Sequence, residues 1–423
     1  MQHIYRFFLL LLGFLGVQAT SHAQTGPIAQ GKPKFLGNIY SNAQAPGFTN
    51  YWNQVAPENG GKWGSVESTR DVMNWTELDA AYKLAKDNNY PFRMHVLVWG
   101  NQQPAWIETL SDAEQLEEIQ EWFAAVAQRY PAIDLLEVVN EPINDPPTSA
   151  GNGGGNYAKA LGGSGASGWE WILKSFRLAR QYFPNTKLMI NEFSLTNSTT
   201  RTNTYVNIIN LLKAENLIDA VGVQGHYFST RNIPSATITS NLNLIAATNL
   251  PIYITEMDID DRVGTQAPAN QTAADQYQLD EYKRIFPLFW EHPSVRGVTL
   301  WGYRTGMWRT DQGAILIRTN GTERPALTWL RTYVASTLTS SKEEEIAGLQ
   351  FYPNPVTHQR LTITGLERKS QISVLDLKGA LLKKLEVKGN KGQEEIALNL
   401  PAGMYILQVQ QDDSFATRKI VVQ

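Results

Sequence analysis

Apolar and polar positions along this chain follow two rhythms. Eight short runs rich in Val, Ile, Leu and Tyr, at residues 35–39, 52–56, 93–98, 135–139, 187–190, 220–223, 252–255 and 297–300, have the length and composition of buried strands. Between them, apolar residues recur at helical spacing over 75–89, 113–130, 169–183, 205–216 and 273–290. Ser111 and Glu114 have the spacing of a capping box at the start of the second of these. Strand and helix in alternation predict a parallel sheet, and this many units favour closure into a (β/α)8 TIM barrel. An open doubly wound sheet is the rival, but no GxGxxG follows the first strand. A last barrel helix is expected over 327–335. Short strand-like runs at 361–363, 371–375, 381–387, 394–398, 404–410 and 417–422 then predict a small all-β sandwich.

The first residues are of another kind. Arg6, an apolar run over 7–17 and the small-residue exit Ser21, His22 and Ala23 read as a signal peptide. A Gly/Pro/Gln-rich leader, expected to be loose, follows it. The expected plan is a signal peptide at 1–23, the leader at 24–34, a barrel domain at 35–337, a linker at 338–349 and a β-sandwich at 350–423. No later run approaches the about 18 apolar residues of a membrane span, so none is expected.

Composition narrows the partner. With 37 Lys and Arg against 40 Asp and Glu, a net charge of -3 and no long basic run, nothing attracts nucleic acid or an anionic membrane. The 12 Trp and 17 Tyr supply flat amphipathic rings of the kind that stack on sugars. The absence of cysteine excludes disulfides, a catalytic thiol and thiolate metal sites.

Two of the strand-like runs stop at a carboxylate, Glu141 in LLEVVNEP and Glu256 in PIYITEMD. A glutamate at the rim of a buried parallel strand is poorly solvated, and it persists there because a partner compensates it or because chemistry needs its shifted pKa. Other polar and aromatic residues gather at the same rims. Glu58, Asn59 and Lys62 follow the second strand, and His95, Trp99 and Gln102 lie at or beyond the third. Asn140 precedes Glu141, Gln224 and His226 end the sixth strand, and Trp301 and Trp308 follow the eighth. Such a rim predicts a carbohydrate cleft, and two carboxylates about 5 to 5.5 Å apart would perform retaining glycoside hydrolysis. Asp258, Asp260 and Asp261 lack the remaining positions of a calcium loop, and Glu343, Glu344 and Glu345 read as a solvated run in the linker. No metal and no cofactor are called for.

ENGGKW (58–63), HVLVW (95–99), VVNEP (138–142), VQGH (223–226), ITEMD (254–258) and WGYRTGMWR (301–309) together resemble the ordered landmarks of glycoside hydrolase family 10, the barrel family of endo-1,4-β-xylanases. The resemblance covers roughly residues 35–335. It implies a secreted enzyme cutting internal β-1,4-xylosidic bonds, with Glu141 as acid/base and Glu256 as nucleophile. It further implies that Asn140 bonds the sugar 2-hydroxyl, and that His226 and Gln224 hold the Glu256 carboxylate. Glu58, Asn59, Lys62, His95, Trp99 and Gln102 would line the glycone subsites, and Trp301 and Trp308 would close over the sugar. The alternatives are a related enzyme cutting β-glucan and an inactive sugar-binding barrel.

Two departures stand out. Gly100 follows Trp99 where the family usually has histidine, so the network beneath the central subsite is expected to differ. Asn191-Glu192-Phe193 replaces the frequent Asn-Asp-Tyr. The Gly-rich stretch 151–168 is expected to be a flexible insertion near the aglycone side. In the tail, FYPNPV (351–356), VLDLKG (374–379), LPAGMYILQV (400–409) and the terminal KIVVQ resemble the C-terminal sorting domain of type IX secretion. That implies export through the periplasm and a partner in the outer-membrane secretion machinery. A carbohydrate-binding module is the rival reading, but the tail offers Phe351, Tyr352, Tyr405 and Phe415 and no Trp. The chain is expected to act as a monomer on xylan.

Overall fold

The computed structural model describes residues 26–151, 155–264, 266, 268–337, 349–366, 369–376, 381–388, 392–411 and 414–423. The signal peptide expected at 1–23 and the Glu343 to Glu345 run lie outside them. Eight parallel strands, β1 (Phe35–Tyr40), β2 (Val55–Pro57), β3 (Arg93–Met94), β4 (Leu135–Asn140), β5 (Lys187–Asn191), β6 (Ala220–Gly225), β7 (Ile252–Met257) and β8 (Val295–Leu300), pair in the order β2-β1-β8-β7-β6-β5-β4-β3. A parallel bridge from Val55 to Phe92 brings the two ends of that order together and closes the ring.

Around it lie α1 (Trp63–Val66), α2 (Thr76–Asp87), α3 (Asp112–Arg129), α4 (Glu170–Tyr182), α5 (Thr199–Ala214), α6 (Tyr227–Thr230), α7 (Ser235–Ala246), α8 (Gln271–Trp290) and α9 (Pro325–Ser336). The capping box at Ser111 and Glu114 forms as its spacing predicts. Helix α7 was not expected: its sequence, SATITSNLNLIA, is rich in Ser, Thr and Asn, although Ile238, Asn241, Leu242 and Ile245 keep the helical spacing of a buried face. Helix α5 starts six residues before the expected 205 because its first turn, capped by Ser198, is polar and carries no apolar stripe. The second strand begins at Val55 rather than 52. Trp52 sits in the preceding turn, where its N–H donates to the Phe48 carbonyl at 3.0 Å.

Strand pleating sorts the barrel interior into layers. Leu135, Met189, Ala220 and Tyr253 form an apolar floor, with the Phe35 ring stacked on Tyr253 at 5.6 Å. Two residues further along β4, β5 and β7 the inward positions are Glu137, Asn191 and Thr255, all fully buried and all polar. Intervening residues such as Leu136, Ile190 and Ile254 face the helices and join the main apolar core. Register shifts interrupt the ladders at Glu137/Val139, Val223/Gln224 and Ile254/Met257, one step below the rim. Irregularities of this kind re-aim side chains next to functional sites.

Two segments differ from expectation by being well packed. In the leader, Ile28 and Ala29 are fully buried, and the Lys34 ammonium donates to the carbonyls of Trp290 (2.6 Å) and His292 (2.9 Å). The Gly-rich stretch is likewise anchored: Tyr157 and Leu161 are fully buried, and Asn156 bonds Gln115 (2.7 Å) and the Glu108 carbonyl (3.1 Å). These contacts tie it to the β3–α3 connection.

In the tail, β9 (Gln350–Tyr352), β10 (Arg360–Leu366) and β13 (Gly392–Ala397) form one antiparallel sheet. β11 (Ser370–Leu375), β12 (Leu381–Val387), β14 (Gly403–Gln411) and β15 (Ser414–Val422) form another. Their inner faces share a core that includes Val356, Leu361, Ile363, Ile372, Val374, Leu407, Val409 and Ile420. Tyr405 belongs to that core, so its ring is not offered to a ligand. The Phe415 side chain lies outside the described residues.

Gly100 explains the missing histidine. A Cβ there would lie 2.3 Å from the carbonyl oxygens of Asp145 and Pro146, because the chain after β4 runs directly across it and its N–H donates to Asp145 O at 2.9 Å. Loss of chain entropy alone would make Gly→Ala stabilising by about 0.4–1 kcal/mol, and the steric conflict outweighs that. Gly100→Ala is expected to destabilise the protein by about 1–3 kcal/mol, read from the urea midpoint; an unchanged or raised midpoint contradicts the packing.

Candidate active site

All thirteen rim residues expected from the sequence line one cavity of about 540 Å3 at the C-terminal ends of the strands. Glu141 is the first residue beyond β4. Its backbone is left-handed (φ 52°), its N–H donates to Asn191 O (2.8 Å), and its carbonyl accepts Asp145 N (2.8 Å). The carboxyl group receives Trp99 Nε1 on one oxygen (2.9 Å) and Gln224 Nε2 on the other (2.8 Å). Burial, and next the charge of Glu256, push its pKa up to about 8 against the opposing Gln224 bond.

Glu256, near the end of β7, has the reverse environment. Asn191 Nδ2 donates to one of its oxygens (2.8 Å), and His226 Nε2 lies 3.2 Å from the other. On the far side His226 Nδ1 meets Asp258 at 2.7 Å. Burial by itself would lower this imidazole, but Asp258 and Glu256 outweigh it and raise the pKa to about 10. His226 is therefore an imidazolium that donates to both carboxylates. The expectation that Gln224 holds Glu256 is corrected here: Gln224 bonds Glu141, and Asn191 takes the place beside Glu256.

Beneath these groups the polar layer of the barrel is linked by ion pairs and hydrogen bonds. Glu137 is in a close ion pair with Arg93 and accepts from His95 Nδ1 at 2.6 Å, while Arg93 Nη2 donates to Thr255 O at 2.7 Å. Burial, Lys62 and Arg93 hold His95 well below its usual pKa, so it is neutral and keeps Nε2 as an acceptor. The Lys62 ammonium bonds Asn59 Oδ1 (2.8 Å) and Gln102 Oε1 (2.9 Å) above the Trp99 ring. Glu58 is buried on the same flank, and burial raises its pKa. Trp301 packs edge-on to His95, whereas Trp308, 49% exposed, donates its indole N–H to Asp258 at 3.0 Å.

His95, Glu137 and Glu256 bring three donor atoms within the reach of one metal ion. In this structure His95 bonds Glu137, Glu137 pairs with Arg93, and Glu256 meets Asn191 and His226, so the cluster is held together by hydrogen bonds. Sequence reasoning passed over Glu137, Asn191 and Asp258. The signal for Glu137 was available, since a charge two residues after Leu135 in an apolar strand points inward. Asp258 was read as an unremarkable acid, and nothing local marks it as the partner of His226. Asn101, Asp145, Phe193, Phe228 and Arg309 also line the cavity without having been expected to.

Comparison with known proteins gives this geometry a context. Residues 350–423 match the secretion system C-terminal sorting domain, so the protein is secreted or displayed at the cell surface. Endo-1,4-beta-xylanase B of Cellvibrio japonicus is 42% identical over 301 residues, which cover 70% of this chain and 45% of that protein. This chain thus spans less than half of that relative's length. An endo-1,4-beta-xylanase of Agaricus bisporus is 26% identical, covering 70% of this chain and 88% of its own. Among solved structures, a GH10 protein from Paenibacillus barcinonensis superposes with a TM-score of 0.65 at 23% identity, covering 74% of this chain and 99% of that one. Native xylanase 10B from Thermotoga maritima gives 0.61 at 24%, covering 73% and 96%. Both show the same barrel. Residues 20–333 match the profile of glycosyl hydrolase family 10, and with that match, over a barrel whose rim carries the landmarks described above, the chain belongs to this family.

Proposed function

We propose that this protein is a secreted endo-1,4-β-xylanase that hydrolyses internal β-1,4-xylosidic bonds with retention of configuration. One observation carries the reading: two carboxyl groups share a single cavity in unlike surroundings, Glu141 with its pKa raised by burial and by the charge of Glu256, and Glu256 within hydrogen-bond distance of the His226 imidazolium. In the first step Glu256 attacks the anomeric carbon while Glu141 gives its proton to the departing glycosidic oxygen. A glycosyl ester forms, the aglycone leaves as an alcohol, and the charge on Glu256 is gone. The repulsion that raised the Glu141 pKa disappears with it, so Glu141 then takes a proton from the water that breaks the ester.

In this reading Asn140, which lines the cavity beside Glu141, bonds the sugar 2-hydroxyl. Glu58, Asn59, Lys62, His95 and Gln102 supply polar contacts on one flank, with Trp99, Trp301 and Trp308 providing ring surface. The tail is the address read by the outer-membrane secretion machinery.

Reducing ends released from glucuronoxylan should far exceed those from carboxymethyl cellulose; the reverse would favour the β-glucan reading. Proton NMR of early products should show the β-anomer first. Glu256→Ala is expected to lower kcat by about 10,000-fold or more while xylo-oligosaccharide binding survives. Because Glu141 must be protonated in the first step, kcat/KM should fall as pH rises through about 8. Glu256→Gln removes the neighbouring charge, so the Glu141 carboxyl, followed by 13C NMR, should titrate below about 8; an unmoved titration contradicts the coupling.

A further inference from the structure

Glu192, the residue after β5, is a fully buried carboxyl that does not line the cavity and pairs with no cation among the described residues. Burial pushes its pKa up to about 7 against the bonds it accepts. A buried acid without a counter-ion is costly to keep, and its contacts show where it acts. One oxygen accepts Ile143 N (2.8 Å). The other accepts Asn144 Nδ2 (2.6 Å) and Phe193 N (2.8 Å). Its own carbonyl accepts Gln224 N at 2.9 Å.

Ile143 and Asn144 belong to the turn that leaves Glu141, whose left-handed backbone (φ 52°) is strained for a non-glycine residue and persists only where its surroundings hold it. The same carboxyl therefore grips the turn behind Glu141 and, through its backbone, the strand whose Gln224 bonds the Glu141 carboxyl. We propose that Glu192 is a positioning residue for the acid/base: its two oxygens clamp the 142–144 turn, and so fix the direction in which Glu141 presents its proton to the glycosidic oxygen. This inference rests on the reading of Glu141 as the acid.

The test compares two substrates on the full-length protein. Xylohexaose needs its leaving oxygen protonated, whereas the phenolate of 2,4-dinitrophenyl β-xylobioside departs unaided. Misaiming an acid costs rate on the first and little on the second. Glu192→Ala is expected to lower kcat on xylohexaose about 30-fold with KM within about 3-fold, and to lower kcat/KM on the aryl substrate by less than about 3-fold. Glu192→Gln keeps the Ile143 bond and, with the Asn144 amide turned over, the Asn144 bond, but sets its NH2 against the Phe193 N–H; it should recover part of the lost rate. Asn144→Ala removes one arm of the clamp without burying a new hole, and should show the same split at about 5-fold even where Glu192→Ala fails to fold. Equal losses on the two substrates, or wild-type rates on xylohexaose in both alanine variants, overturn the proposal. Glu141→Ala is the reference: if it too loses both substrates equally, the acid/base reading itself falls, a failure distinct from that of the clamp.

Discussion

Everything at the mouth of this barrel depends on a chain of hydrogen bonds that crosses four strands. Glu256 receives Asn191 Nδ2, which also donates to Asn140 Oδ1 at 2.9 Å. Gln224 Nε2 approaches that same oxygen at 3.3 Å and donates to Glu141 at 2.8 Å. The two carboxyl groups are thus joined through three amides, whose rigid geometry leaves few ways to arrange the donors. A shift in any of β4 to β7 would be felt at both acids. The register breaks beneath the rim are what allow regular strands to turn their last side chains toward one another.

Charge is distributed along this chain unevenly, and the unevenness is the chemistry. Asp258 secures the proton of His226, and Glu256 faces a cation at hydrogen-bond distance. The hydrogen bonds described to the Glu141 carboxyl come from neutral donors, the Trp99 indole and the Gln224 amide, with the Asp145 carboxyl also close by. Neutral donors do less than a cation to offset the cost of burying a carboxylate, so Glu141 stays protonated where an exposed glutamate would not. Arg93 answers another buried acid, Glu137, one layer down. The two carboxyl groups of the cavity thus sit in unlike surroundings, as the proposed division into acid and nucleophile requires.

The strand ends were legible because burial leaves a plain mark: an apolar run that stops at Glu141 or at Glu256 is uncommon, and the strands themselves are short and Val/Ile-rich. What the pattern did not disclose was pairing across strands. Gln224 and Glu256 lie side by side in the β6–β7 register, yet the amide turns to Glu141, a choice set by side-chain direction and by Asn191 already occupying Glu256. Asp258 was invisible for the same reason, since its partner lies 32 residues away. The packed leader and the anchored Gly-rich stretch were misread because glycine and proline report the freedom of an isolated chain. Tyr157, a single aromatic residue within that stretch, decides its folded state.

Tyr157 also shows how the departure at Gly100 is absorbed. Without a side chain at residue 100, the chain beyond Glu141 settles onto the end of β3 and carries the insertion with it. The Tyr157 hydroxyl then reaches the backbone of Trp99, accepting its N–H at 3.2 Å and lying 2.7 Å from its carbonyl. Trp99 in turn gives its indole N–H to Glu141. The ring that touches the proposed acid is thus braced by the insertion that the missing histidine made room for. Glu192 grips the other end of the same segment at Ile143 and Asn144. The carboxyl of Glu141 is aimed between two anchors, one in the β4–α4 connection and one at the end of β5, and its left-handed backbone is the link that both must hold in place.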